Sequence, residues 1–398
     1  MNESRRSLAF RLNWPVVWFS LSLLFPSTAI VQKFFGISGV IAYLVAASFL
    51  LWVGYKCIFP AFISKVTDKW AVLLLLLCFL VLLVSFFVIY PIANSGVVGS
   101  GSDADEALNT ATWELLRGRY PYYPTTYLGN PISPLPGSLV LAVPFVLFGN
   151  EAYQNLFWMA AFLVAAAVYL DSFRQSLLLF ITAMALSPAI LHRYVIGSDH
   201  LANSLFVLVF ALWTITSCSQ AKLAVWKKIA PAVLLGISLS SRTNFVLLLP
   251  LILAALAQRS NWKTAVGYVA VVSTSFALVT LPFYLYDPSG FSPLHTYNKL
   301  GQFDRFVPFV GIMVPLIDGV ISVLLALKDN REPGLFFRNC AVVLAFPVVC
   351  AVFLSSVRSG RPDCTFASFG IFFLFFGAMA WWPQVLETSR LQYEHRAA

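Results

Sequence analysis

Residues 71–90, AVLLLLLCFLVLLVSFFVIY, carry no charge over a length that matches the hydrocarbon core of a bilayer. Apolar runs of this kind recur through the chain. They fall near 13–31, 36–56, 70–92, 151–170, 175–191, 201–217, 226–241, 243–258, 264–284, 309–327, 339–357 and 365–385. A 398-residue chain that is 59% hydrophobic and only 11% charged is too apolar for a soluble fold. The expected fold class is therefore an all-α polytopic membrane protein with about twelve transmembrane helices.

The basic residues orient those spans, because Lys and Arg favour the cytoplasmic side of short loops. With Arg5, Arg6 and Arg11 inside, the segments on the same side collect 17 of the 26 basic residues, including Lys65, Lys69, Arg174, Lys228, Arg259, Lys328 and Arg338. Both termini are expected in the cytoplasm. The acids lie towards the other face: Asp103, Asp105, Glu106, Glu114, Glu151, Asp199, Asp287, Asp304 and Asp363. The net charge of +9 is then a topology signal, and no nucleic-acid partner follows from it. Residues 226–258 are read as two short spans around Arg242, since one long helix would reverse the charge bias downstream. Short helices at membrane depth line a cavity rather than face lipid. Asp318 falls inside an expected span, where an ionisable group is costly without a partner or a cavity.

Six scattered cysteines give neither a disulfide framework nor a CxxC metal pair. The expected outer loops lack a glycosylation sequon, which fits a bacterial plasma membrane. The first apolar run has no small-residue cleavage site after it and is read as a retained span.

Residues 93–150 are the longest stretch without a full span. A Gly/Ser segment leads to Ser102 or Asp103 as a helix cap, with Asp105 and Glu106 in the first turn, where negative charge is favoured. Gly118 is the expected stop. Ala107, Leu108, Ala111, Leu115 and Leu116 recur at helical spacing, so one face is expected to lie on the bilayer. A Pro-rich segment follows, then the apolar 138–149, too short to span and read as a second interfacial helix. By themselves these carboxylates read first as ordinary solvated capping groups.

The stretch DEALNTATWELLRGRYPYYPTTYLGNPISPLPGSLVLAVPFVLFG, 105–149, resembles the first outer loop of the GT-C superfamily of membrane glycosyltransferases. These enzymes use polyprenyl-phosphate sugars. In the aminoarabinose transferase and protein O-mannosyltransferase branches an Asp-Glu pair opens a juxtamembrane helix, followed by an aromatic/Pro segment, a Pro-Pro-Leu-like turn and a short apolar helix. The polyprenol-phosphate-mannose mannosyltransferases share a looser version. LSPAILHRYVIGSDHLANSLF, AVLLGISLSSRTNFVLLLPLIL and SSVRSGRPDCTFASFGIFFLF resemble later parts of the same plan. The likeness spans 70–385, a catalytic core between a two-span addition at 1–69 and a tail at 386–398.

The resemblance implies transfer of a sugar from a polyprenyl phosphate to an acceptor hydroxyl of a glycan, lipid or protein at the outer face. Asp105 would be the general base of an inverting displacement, with Glu106 orienting the acceptor. Such chemistry needs a base for the hydroxyl proton and cations for the departing phosphate. Arg242, Arg358 and Arg361 are the expected phosphate ligands, because Arg offers forked donors. Asp103, Asp199, His192 and Tyr122 are expected on the substrate side. Each has an ordinary structural alternative, from snorkelling arginine to interfacial aromatic belt. No cofactor is required, although Asp103-x-Asp105 leaves a divalent ion open. The competing class is a transporter or flippase of lipid-linked sugars, for which internal duplication is expected and none is seen.

Overall fold

The computed structural model describes residues 13–95, 102–220, 222–296 and 299–397. Among them every regular element is a helix, apart from a lone bridge between Thr125 and Pro131. Seven helical runs are long and apolar enough to cross a membrane: Trp14–Lys65, Asp68–Asn94, Tyr153–Leu170, Asp199–Cys218, Trp262–Tyr286, Pro333–Ser359 and Thr365–Glu394. A bent pair raises the number to eight, and Pro136–Leu147, Thr243–Arg259 and Val310–Ala326 are shorter apolar helices. All twelve intervals read from the sequence are mostly helical, several of them crossing from one helical element into the next. Arg5, Arg6 and Arg11 lie outside the described residues.

Three breaks shape the bundle. The 52-residue run Trp14–Lys65 is interrupted at Gly36, whose φ of +66° and ψ of −167° put a kink between two helices. That backbone conformation suits glycine because it has no Cβ. The interval 175–191 is not one helix: Phe173–Leu186 and Pro188–Val195 meet at 85°. Pro188 disfavours the helical conformation in the residue before it, and Ser187 has φ −117° and ψ 87°. The third break is at Arg242, extended at φ −148° and ψ 144° between Val225–Leu239 and the turn that opens the 243–259 helix. Residues 226–258 are thus two helices around Arg242 and not one long helix.

Asp199–Cys218 is the most enclosed of these helices. Leu201, Leu205, Phe206 and Leu208 along it are fully buried, and Trp158 packs edge-on against Phe206 with ring centroids 5.5 Å apart. Lipid is as apolar as these side chains, so close packing and internal hydrogen bonds, rather than exclusion of water, hold such helices together. Residues 13–65 dock on this core: Phe19 lies 5.1 Å from Trp382, Tyr43 donates to the Leu186 carbonyl at 2.7 Å, and the Ser27 and Ser187 hydroxyls are 3.0 Å apart.

The 93–150 segment contains both expected helices, Ala104–Leu116 and Pro136–Leu147, and the first is followed by Gly118 at φ +68°. Much of its apolar face is covered by protein, although Leu116 stays exposed. Ala107, Leu108 and Ala111 are buried in a satellite core with Tyr122, Ile132, Leu135, Leu139, Ala142, Val146 and Phe291. A helical hydrophobic period is satisfied equally by protein, and here the second short helix covers it. That helix is tied by its start to the Arg242 break, because Leu135 and Gly137 donate their N–H groups to the carbonyls of Ser241 and Ser240 at 3.1 and 2.8 Å.

Candidate functional site

The end of Pro188–Val195, the start of Asp199–Cys218, the Arg242 break and the start of Ala104–Leu116 meet around a cavity of about 530 Å³. Its polar lining carries Asp103, Asn130, Ser133, Arg193, Arg242 and Lys299. Apolar Leu344, Val348, Phe366, Phe369 and Phe372 line it as well. A cavity with both kinds of lining suits an amphiphile whose head is charged.

Asp103 occupies the position that would cap Ala104–Leu116, yet its side chain makes no capping bond. Ser102 Oγ instead accepts from the Ala104 N–H at 3.3 Å. Asp103 Oδ2 accepts from Thr126 Oγ1 and Asn130 Nδ2, each at 2.7 Å. Both donors belong to a tight turn closed by Gly129 N–H to the Thr126 carbonyl at 2.8 Å. The carboxylate is therefore fixed by neutral donors and makes no ion pair among the described residues.

Asp199 and Arg242 form a pair at 2.5 Å, with the carboxylate almost wholly enclosed. Asn203 also donates to Asp199 Oδ2 at 3.0 Å, and Arg242 donates to Ser133 Oγ at 3.1 Å. Arg193 is brought in by the last turn of Pro188–Val195. Its guanidinium contacts Ser198 Oγ at 3.3 Å and the Ser368 carbonyl at 3.5 Å, both neutral. Lys299 stands over the Phe369 ring at 4.6 Å. Desolvation, then Arg242 and Arg193, lower its ammonium below the ordinary lysine value. Three cations thus face two carboxylates in this cavity, and only Arg242 is neutralised by close pairing.

Other expected site residues lie elsewhere. Asp105 is only 8% exposed and does not line the cavity. Its Oδ2 accepts from Tyr90 Oη at 2.5 Å and Asn94 Nδ2 at 3.4 Å, and Tyr90 Oη accepts from Asn150 at 2.7 Å. Burial raises its carboxyl above the ordinary range. These bonds pin the juxtamembrane helix to the end of Asp68–Asn94. Gly197 closes over them at φ +67°, where a Cβ would lie 2.7 Å from Ala152, 2.8 Å from Tyr90 and 3.1 Å from Asp105. Glu106 accepts from the Tyr127 N–H at 3.0 Å, and Glu114 pairs with Arg119 at 2.5 Å.

Tyr122 is enclosed between Phe283 and Phe291, so it packs rather than presenting a ring to the cavity. Arg358 reaches Gln302 at 3.5 Å and the Phe303 ring at 6.0 Å, holding the 301–303 turn. His192 and Arg361 line a different cavity. Asp304 accepts from the Gly311 N–H at 2.8 Å near the start of Val310–Ala326. The side chain of His295 lies outside the described residues. Asp318 is fully buried, and neither of its oxygens has a hydrogen-bond partner among the described residues.

His200 and Lys299 line the cavity without having been singled out in the sequence. His200 sits against Phe369 and Phe372, with an unpartnered Nδ1. Its one signal was adjacency to Asp199; Lys299 had only its membership of a long polar loop. The chain matches no protein-family model, no curated protein and no solved structure.

Proposed function

We propose that the chain is a polyprenyl-phosphate-sugar-dependent glycosyltransferase of the GT-C type, with its reaction centre in the Asp103 cavity. The observation that carries this reading is the non-capping Asp103 carboxylate in the same amphiphilic cavity as Arg193 and Lys299. Asp103 replaces Asp105 as the base, because Asp105 is enclosed and already engaged by Tyr90 and Asn94.

In the proposed step the acceptor hydroxyl oxygen attacks the anomeric carbon as Asp103 takes its proton. The bond from that carbon to the phosphate oxygen breaks, and its electron pair leaves on the polyprenyl phosphate. Arg193 and the outward edge of Arg242 stabilise the charge that grows there, and Lys299 at the rim holds the donor phosphate before the bond stretches. The prenyl chain lies along the Leu344, Val348 and Phe372 wall. With one carboxylate at the reacting carbon, the displacement inverts. Arg358 and Glu106 position neighbouring turns rather than touching substrate.

The topology within this proposal has twelve crossings, counting the two halves of Trp14–Lys65 around Gly36, the bent pair as one, and Val225–Leu239, Thr243–Arg259 and Val310–Ala326, but not Pro136–Leu147. Both termini are cytoplasmic in a bacterial plasma membrane, with the cavity at the outer face.

The test is release of polyprenyl phosphate from a panel of short-chain polyprenyl-phosphate sugars, with an envelope extract as acceptor. Asp103→Asn is expected to lower turnover about 10²–10⁴-fold with donor binding retained. Asp105→Asn is expected to lower thermal stability more than turnover per folded molecule. Full turnover in Asp103→Asn would sink the assignment. No release from any donor, with donor translocation into sealed vesicles, would establish a flippase instead.

A further inference from the structure

A second cavity, of about 660 Å³, lies on the other side of Arg193. Apart from Arg193, which borders both cavities, its lining belongs to a part of the fold that the transferase reading does not use. One wall is the turn and helix around Pro26–Ile37, from the N-terminal addition that stands outside the segment carrying the resemblance. The other is the 359–368 loop, and His192 and Arg193 lie between them. The two walls are joined through Gln32, whose Nε2 donates to the Pro362 carbonyl at 2.7 Å and whose Oε1 accepts from the Cys364 N–H at 2.6 Å.

The charges around this cavity are unbalanced. Lys33, Arg193 and Arg361 line it together with one carboxylate, Asp363. That carboxylate is occupied: Ser355 Oγ donates to Oδ2 at 2.5 Å, and the Thr365 hydroxyl and N–H donate to Oδ1 at 2.6 and 3.0 Å. Neither Lys33 nor Arg361 makes an ion pair among the described residues, and both are solvent-exposed at the cavity. Beside them Phe34 and Phe35 are 56% and 71% exposed, with Ile37 and Ile41 exposed on the helix that follows the Gly36 break. In a chain of membrane-crossing helices, such an apolar strip is covered by acyl or prenyl chains.

We infer that this cavity holds the phosphate headgroup of a lipid, with Lys33 and Arg361 as its ligands, Arg193 behind them and the chain lying along Phe34, Phe35 and Ile37. Forked Arg donors and a Lys ammonium suit phosphate oxygens. A snorkelling cation alone would need no partner on a second element, whereas here two elements 328 residues apart bring cations to one space. The helix break at Gly36 lies on the cavity wall and separates the Lys33 end from the rest of the run. This site stands independently of the transferase reading.

The test is native mass spectrometry of the purified, delipidated full-length protein with farnesyl phosphate, farnesol and inorganic phosphate as probes. Wild type is compared with Lys33→Gln/Arg361→Gln, two surface changes whose folding is checked by thermal melting. The double variant is expected to lose one farnesyl phosphate equivalent, with about tenfold weaker binding at that site. If both cavities bind, the count falls from two to one; if the transferase reading fails, it falls from one to none. An unchanged count would overturn the inference. So would farnesol binding as tightly as its phosphate, since the headgroup would then be unread. Inorganic phosphate binding as tightly as farnesyl phosphate would overturn the lipid source.

Discussion

Asp199 Oδ2 and Arg242 Nη2 lie 2.5 Å apart at the floor of the first cavity, with the carboxylate 1% and the guanidinium 14% exposed. The pair joins the start of Asp199–Cys218 to the break that separates two short helices. Removing one partner leaves the other charge enclosed, which typically costs ~3–5 kcal/mol, whereas removing both charges together costs far less. Arg242→Gln should therefore melt well below wild type in detergent, and Asp199→Asn/Arg242→Gln should regain much of that loss. A double variant no more stable than Arg242→Gln would show that the pair's geometry, not its charge balance, is what matters.

Gly197 makes a second, purely steric prediction. Its positive φ disfavours any side chain, and a Cβ would press on Ala152, Tyr90 and Asp105 at 2.7–3.1 Å. Strain of ~1–2 kcal/mol from the backbone and ~1–3 kcal/mol from overpacking should add in Gly197→Ala. The measurement is a melting curve, and wild-type stability would mean that the surrounding turn relaxes freely.

The helices were legible in the sequence because their signal is local. An arginine between two apolar runs of about 16 residues marked the Arg242 break, and a 12-residue run was correctly too short for a span. The Pro188 bend was missed because the apolar pattern runs straight through Leu186–Leu191, and only the Ser-Pro pair interrupts it. The face of Ala107, Leu108 and Ala111 was visible as a period, but a period does not say whether protein or lipid covers it. The site was less legible for the same reason. Asp103 and Asp105 are two residues apart and differ only in what surrounds them: the first meets a turn over 20 residues downstream, the second a tyrosine on the preceding helix. Lys299 reaches Arg193 and Arg242 through tertiary structure alone.

Glu151 gives the stability a direction with pH. It is fully buried in the turn before Tyr153–Leu170, with Gln154 donating to Oε2 and no hydrogen-bond partner on Oε1 among the described residues. Burial, and next the charge of Asp199, push its carboxyl well above the ordinary 4.5. The folded chain therefore keeps this proton where the unfolded chain has released it. Its contribution to stability is complete below about pH 4.5 and is lost as pH rises towards the raised value. Glu151→Gln has no proton to lose. It should match wild type near pH 4.5 and melt higher at neutral pH, so a wild-type advantage at pH 7 would mean that the charged form is the one the fold accommodates.

Lys299 separates donor binding from chemistry in the proposed transferase. Its ammonium is lowered from the ordinary 10.5 by desolvation and by Arg242 and Arg193, so its charge is present below that reduced value and disappears earlier in the alkaline range than a free lysine's would. If it holds donor phosphate, the donor KM should rise as pH passes through this range. Lys299→Met should raise KM about tenfold at neutral pH with kcat changed little, since a rim cation acts on binding before the reacting bond stretches. Lys299→Arg should keep KM flat to higher pH, because a guanidinium does not titrate there. Steady-state kinetics of the three forms across the alkaline range makes the comparison, and identical KM profiles for wild type and Lys299→Met would remove Lys299 from the donor site.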